Sequence, residues 1–171
     1  PVAGCRIGAR RIAEVADTMG PELLMAIFEE LLNRSEAMTR AALRAMPEGV
    51  YRYADWLDND GIELERRVRI EVAVTVKDGS IHIDLTGTSD QLKGPFNCVP
   101  SGSRAAAYFA VRALTDPTIP PNAGCFRPVT LHLPVCSRVN PVSQAPGGSR
   151  PALTHRGTAR RPAAFKPALP P

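Results

Sequence analysis

The sequence predicts an α+β fold, because two different hydrophobic periods follow one another along the chain. Apolar residues first recur with the 3.6-residue period of helices over residues 8–46, and then alternate with polar residues, as in strands, over residues 50–85. A nearly apolar segment, residues 104–114, stands between two loops rich in glycine and proline. We therefore expect N-terminal helices, an antiparallel meander of strands and one buried helix between the two loops.

Two amphipathic helices are expected at the N-terminus. The helical period runs over residues 8–19, and Gly20 ends this first segment. Pro21 stands at a favoured first helical position, and the period continues over residues 21–46 until Pro47 stops it. A helix of that length is roughly 39 Å long, which is more than so short a chain can easily cover.

The strand region begins with residues 50–56, which alternate as a half-buried strand does, and its best-defined feature is a hairpin centred on Asp78-Gly79. This turn places apolar pairs on one face of the two strands: Val76 with Ile81, Val74 with Ile83, and Val72 with Leu85. The other face pairs His82 with Thr75 and Asp84 with Ala73. His82 and Asp84 are open to two interpretations, a base with its orienting acid or a solvated sheet face.

The apolar segment predicts a helix over residues 104–114, buried on nearly all sides and capped by Ser101 or Ser103. A last short strand is expected after Pro128, and that proline favours an edge position or a strand start.

The charge distribution divides the chain into residues 1–134, expected to form one domain, and a tail, residues 135–171. Residues 117–171 contain seven basic and no acidic residues, so all 17 acidic residues lie before residue 117. The tail also contains seven prolines and few large apolar residues, which predicts disorder. Because the basic charge is confined to this tail, we expect no nucleic-acid partner for the body, although a basic interaction arm stays an alternative.

No run of about 18 apolar residues is present, and no signal peptide is recognisable, so we expect no membrane association and a cytoplasmic location. The chain begins with Pro1, and we expect the natural N-terminus to lie upstream.

Catalytic and metal-binding motifs are missing from the sequence. It contains no phosphate-binding loop, dinucleotide fingerprint, nucleophile elbow or zinc-protease motif. The three histidines, His82, His132 and His155, share no metal-ligand spacing. We therefore expect neither a metal nor a cofactor to be bound by this chain, and its catalytic residues stay unknown.

Asn97 and Asn122 stand in the two glycine and proline loops beside the apolar helix. Each amide either caps a turn of its own loop or faces a ligand. In the second interpretation, Arg104 and Arg127 are able to hold a carboxylate or phosphate. These four residues are our candidates for substrate binding or for the boundary with another subunit.

The order of these segments resembles the hydantoinase B/oxoprolinase family. The similarity rests on "QLKGPFN", on "SRAAAYFAVRALTDPTIPPNAGCFRPVTLHLP" and on a remnant "SRVNP". The upstream run "SEAMTRAALRAMPEGVYRYADWLDNDG" is also similar to the family's approach to its "GPxN" loop. The family includes the B subunit of N-methylhydantoinase, the C-terminal half of 5-oxoprolinase and the large subunit of acetone carboxylase.

The resemblance implies a fragment of a subunit for ATP-dependent hydrolysis of cyclic amides of the hydantoin or 5-oxoproline type. A hydantoinase A-type partner supplies the nucleotide site, and ATP and a divalent metal are implied for the parent complex. Acetone carboxylase-type carboxylation of a ketone is an alternative, and a non-catalytic truncated product or basic-tailed interaction module is another. We expect this fragment alone to be inactive.

The tail departs from the family's pattern. Its excess of proline, arginine and alanine without acids is typical of GC-rich coding DNA read out of frame. We therefore expect a frameshift near residues 135–145.

Overall fold

The computed structural model describes residues 2–142 and 144–149, and it has the predicted α+β architecture. The elements are α1 (Val2–Met19), α2 (Pro21–Arg44), β1 (Gly49–Leu57), β2 (Val68–Lys77), β3 (Ser80–Asp84), α3 (Pro100–Leu114), a 3₁₀ turn (Ala123–Phe126) and β4 (Val129–His132). The predicted tail beyond residue 149 and His155 lie outside the described residues.

The two N-terminal helices are confirmed, with different bounds. α1 starts at Val2, six residues earlier than the sequence pattern predicts, and residues 2–7 contain no proline that would break it. Gly20 separates α1 from α2 with φ of 87°, a conformation that glycine adopts without strain. α2 has Pro21 in its first turn and ends at Arg44, two residues before its predicted end.

The hairpin of β2 and β3 has the predicted register over most of its length. Val76 pairs with Ile81 and Val74 with Ile83, and the turn residues Asp78 and Gly79 both have positive φ. Positive φ at both central positions is what a type I′ hairpin turn requires.

The predicted pairing of Val72 with Leu85 is wrong, because β3 ends one residue earlier, at Asp84. On its other side Val72 pairs with Tyr53 of β1, and the Leu85 amide donates to the His132 carbonyl of β4 at 3.1 Å. Val72 and Leu85 still share one buried core.

The four strands lie in the order β1-β2-β3-β4, and the predicted antiparallel meander is confirmed for β1 to β3. β1 and β2, and β2 and β3, are antiparallel, whereas β4 pairs with β3 in parallel. The long connection from β3 through α3 returns the chain to the end of the sheet where β3 begins, which is the geometry that a parallel pair needs. β4 occupies the predicted edge position, directly after Pro128.

α3 differs from its prediction at its start and in its burial. It begins at Pro100, and neither Ser101 nor Ser103 caps it. The Ser103 hydroxyl donates instead to the Val139 carbonyl at 2.8 Å. One face of α3 contacts the sheet through small residues, whereas Phe109 on another face is 59% exposed. The expected burial on nearly all sides is therefore wrong.

The predicted end of ordered packing at Val135 is also wrong, because Ser137, Arg138 and Val139 are buried. Backbone hydrogen bonds attach this segment to the loop before α3: Arg138 donates to the Ser89 carbonyl at 3.1 Å and accepts from the Cys98 amide at 2.7 Å. Non-local pairing of this kind leaves no local sequence pattern. The body of the domain therefore extends at least to residue 140.

Candidate functional site

Asn97 is a buried structural element of the first glycine and proline loop. Its side chain is 1% exposed, and its Oδ1 accepts from the Leu92 amide at 2.8 Å. Its Nδ2 donates to the carbonyls of Leu92 at 2.8 Å, Gly94 at 3.2 Å and Pro146 at 2.9 Å. The amide therefore fastens this loop to residues of the segment that follows β4.

Asp60 attaches the same loop to the turn after β1. Its carboxylate accepts from the amides of Glu63 at 2.7 Å, Ile62 at 2.9 Å and Gly94 at 3.2 Å. Bonds from backbone amides, Glu63 first and Ile62 second, hold the pKa of Asp60 below its ordinary value. Gly94 lies so close to Asp60 that an added Cβ would overlap the Asp60 carbonyl oxygen.

Asn122 joins the second loop to α2. Its Oδ1 accepts from the Gly124 amide at 2.9 Å, which caps the 3₁₀ turn. Its Nδ2 donates to the Ser35 hydroxyl at 2.8 Å and the Leu31 carbonyl at 3.3 Å. Gly124 contacts the backbone of α2 directly, since a Cβ there would overlap the Leu32 carbonyl.

Arg127 reinforces that contact from the surface. Its guanidinium donates to Asn33 Oδ1 at 2.7 Å and forms ion pairs with Glu29 at 3.0 Å and Glu36 at 3.3 Å. The hydrogen bond to Glu29, followed by that to Glu36, raises the pKa of Arg127. Asn122 and Arg127 thus both attach the second loop to α2.

Arg104 is exposed on α3, and the described part of the chain offers it no hydrogen bond or ion pair. Of the four predicted residues, the structure brings Asn122 and Arg127 together on α2, while Asn97 belongs to a separate network. Their roles toward a substrate or a second subunit stay predictions, but three of the four have defined partners within the fold.

His82 and Asp84 do not form a base and its orienter. His82 Nδ1 lies 2.8 Å from the Thr130 hydroxyl, and Asp84 Oδ1 accepts from the amide and hydroxyl of Thr86 at 2.8 and 2.6 Å. Within the described residues, no group of three histidine, cysteine or acidic residues is placed to hold a metal ion. The interpretation as a partly solvated sheet face agrees with these contacts.

Arg138 lies in the segment, residues 135–171, that the sequence composition assigns to a tail. Its side chain is completely buried, and its Nη2 donates to the Phe96 carbonyl at 3.2 Å. Its Nε and Nη1 have no hydrogen-bond acceptor among the described residues. No local signal separates Arg138 from the other basic residues after Asp116, because its burial depends on pairing with the distant loop before α3.

α1 and the first half of α2 form an exposed apolar arm. α1 contains no buried residue. The arm exposes ten large apolar side chains: Val2, Ile7, Ile12, Val15, Met19, Leu23, Met25, Ile27, Phe28 and Leu31. Contiguous apolar surface of this kind marks protein contact surfaces. None of the described helices combines the length and apolarity that a membrane crossing requires.

The chain has relatives of known family. A model of the hydantoinase B/oxoprolinase family matches residues 1–171. A protein named as the B subunit of a D-/L-hydantoinase, from Pseudomonas sp. (strain NS671), is 35% identical over 155 residues, which cover 85% of this chain and 26% of that protein.

Two solved structures share the fold. The ATP-dependent caprolactamase of Pseudomonas jessenii has a TM-score of 0.81 at 22% identity, covering 98% of this chain and 30% of that chain. A nucleotide-free acetone carboxylase has a TM-score of 0.75 at 18% identity, covering 87% of this chain and 21% of that chain. The chain therefore spans between about a fifth and a third of the length of these relatives.

Proposed function

The chain belongs to the hydantoinase B/oxoprolinase family, and we propose that it forms part of a B-type subunit that hydrolyses cyclic amides in an ATP-dependent reaction. The observation that carries this proposal is the 35% identity to the B subunit of a hydantoinase over 85% of the chain. The proposed substrates are small cyclic amides of the hydantoin or 5-oxoproline type, and the proposed location is the cytoplasm.

The proposed reaction needs activation because the carbonyl of an unstrained cyclic amide is a poor electrophile. Phosphorylation of that oxygen creates a good leaving group at the carbon that water attacks. We assign the nucleotide site to an A-type partner. The residues described here do not fit the divalent metal that the family resemblance implies, because no three suitable ligands meet. No step at a metal is therefore assigned to this chain.

The contribution proposed for this chain is a framework that holds two loops and offers a contact surface. Asn97 and Asp60 fix the first loop, and Asn122 fixes the second on α2. Arg104 stays exposed beside the start of α3, where it can reach a substrate carboxylate or another subunit. The apolar arm supplies the surface on which further protein can pack.

A carboxylase-type function is the second candidate, supported by the fold shared with acetone carboxylase. The 18% identity behind that likeness favours it less than the 35% identity favours a hydrolase. A non-catalytic interaction module is the third. It predicts binding of nucleic acid that weakens steeply with salt and is lost when residues 150–171 are deleted.

The test is a chimera in which this chain replaces the matched segment of the Pseudomonas sp. hydantoinase's B subunit, co-expressed with a hydantoinase A-type partner. Phosphate release is measured with hydantoin, 5-oxoproline or caprolactam, and separately with acetone and bicarbonate. ATP-dependent ring opening supports the hydrolase, and activity on acetone alone supports the carboxylase. An inactive chimera that assembles normally, beside an active parent enzyme, contradicts both.

The frameshift hypothesis has its own test. Sequencing of the gene and its flanks should reveal a single-base shift that restores a family-like frame past Pro141. An intact frame, with relatives that carry the same tail, would refute the frameshift and favour the interaction module.

A further inference from the structure

Arg138 presents a buried positive charge whose hydrogen-bonding capacity is largely unused. The side chain has 0% exposure and makes one hydrogen bond, from Nη2 to the Phe96 carbonyl. Nε and Nη1 are buried without an acceptor in the described part of the chain. Buried polar groups in proteins are nearly always hydrogen-bonded, and a buried charge is normally paired.

Among the described residues, no acid pairs with Arg138. None of the ion pairs between described residues includes Arg138. The arginine lies beside the first turn of α3, since the neighbouring Val139 carbonyl accepts from Ser103 and the Arg138 carbonyl accepts from the Cys98 amide. That turn has no acidic residue and no side-chain cap. A helix N-terminus carries partial positive charge, so it adds to the need for an anion.

The guanidinium keeps its charge at neutral pH. Desolvation on burial lowers the pKa of Arg138 to about 10, and the nearby Cys98 sulfur opposes that shift. A pKa of about 10 still lies well above neutrality. Deprotonation therefore does not relieve the cost of the buried charge, and the charge needs a partner.

We propose that Arg138 and the start of α3 form a binding site for a carboxylate. A carboxylate is planar, accepts two hydrogen bonds from one edge of a guanidinium, and neutralises a single positive charge. Each edge of the Arg138 guanidinium retains a nitrogen without an acceptor, Nε on one and Nη1 on the other. A phosphate dianion fits less well, because it would bury a net negative charge beside one arginine.

The carboxylate has two possible sources with the same chemistry. One is a free small molecule, such as the amino acid released when a cyclic amide is opened. The other is an aspartate or glutamate side chain from another polypeptide segment of the B-type assembly. The site itself stands on the geometry of Arg138; only its link to ring-opened products rests on the proposed function.

Acetate is the probe for the first source. The thermal midpoint of the full chain is measured at pH 7 in sodium acetate and in sodium chloride of equal ionic strength. Wild type and the exposed control Arg67→Met should gain a saturable rise in acetate only. Arg138→Met should bind acetate at least about 10-fold more weakly, as expected for the loss of charge-assisted hydrogen bonds. Arg138→Lys keeps the charge without the planar guanidinium, so its acetate affinity should lie between those of wild type and Arg138→Met.

The second source has a different signature. Acetate then leaves the isolated chain unchanged, whereas in the chimeric B-type subunit Arg138→Met lowers the thermal midpoint and Arg67→Met does not. Acetate binding to wild type is also measured directly, from the broadening of the acetate carbon-13 NMR signal. This measurement does not depend on whether Arg138→Met folds.

Two results would overturn the proposal. Equal acetate effects on wild type and Arg138→Met would show an adventitious ion only. An Arg138→Met chain as stable as wild type, both isolated and in the chimera, with no acetate effect, would show that the arginine has no anionic partner. Neither measurement uses ATP or turnover, so both can be interpreted even if the proposed hydrolase function is wrong.

Discussion

Replacement of Asn97 by alanine should destabilise the fold strongly, because the amide joins its own loop to the segment that follows β4. The substitution removes the acceptor of the Leu92 amide and the donor to the carbonyls of Leu92, Gly94 and Pro146. Nδ2 has two hydrogens, so we count two donated hydrogen bonds and the one that Oδ1 accepts, three in all. At about 1 kcal/mol of net stability each, the loss is about 3 kcal/mol. For a domain of this size the thermal midpoint should fall by roughly 6–12 °C.

The assay is thermal and urea denaturation followed by circular dichroism, with Arg104→Met as the exposed control. Asn97→Asp tests the donor alone: it keeps the shape but turns a negative oxygen toward three carbonyls, so at pH 7 it should cost more than Asn97→Ala. An Asn97→Ala protein that unfolds within about 1 kcal/mol of wild type would refute the reasoning. If that protein also lost turnover in the chimera, a ligand contact would replace the turn-capping role.

Four further substitutions test other parts of the fold. Gly124→Ala should cost about 1–3 kcal/mol because its methyl overlaps the Leu32 carbonyl, whereas Gly8→Ala, with open space around it, should gain up to about 1 kcal/mol in urea denaturation. Asp60→Asn should be less stable than wild type at pH 7. Because the pKa of Asp60 is lowered on folding, its contribution is lost as the pH falls, so this difference should close below about pH 4. Ile12→Ser, at an exposed arm position, should leave the isolated chain's unfolding midpoint unchanged and weaken assembly of the chimera in size-exclusion chromatography.

The sequence predicted the β2–β3 hairpin in residue-level detail because its determinants are local. Asp78 and Gly79 tolerate the positive φ values of the turn, and the alternation of apolar residues on both sides fixes which face is buried. A shift of one residue would expose Val74 and Val76. Two independent constraints thus agree on one register.

Features set by distant segments could not be predicted in this way. The parallel direction of β4 depends on the path of the chain through α3, and nothing in its four residues encodes that direction. Ser103 looks like a helix cap by position, but its hydroxyl bonds to Val139, 36 residues away. Arg138 was assigned to a tail because the hydrophobic pattern ends before it, although backbone bonds to Ser89 and Cys98 hold its segment in the fold.

The four candidate site residues differ in how far their side chains are already engaged in contacts within the fold. Asn97 and Asn122 are short amides held by several backbone partners, and such residues can touch a ligand only by giving up bonds that hold their loops. Arg127 already shares its charge with two glutamates of α2. Arg104 is exposed with a long flexible side chain, so it can engage an anion at little structural cost. Substitution of Arg104 should therefore change turnover of the chimera without changing its folding, which separates it from the other three.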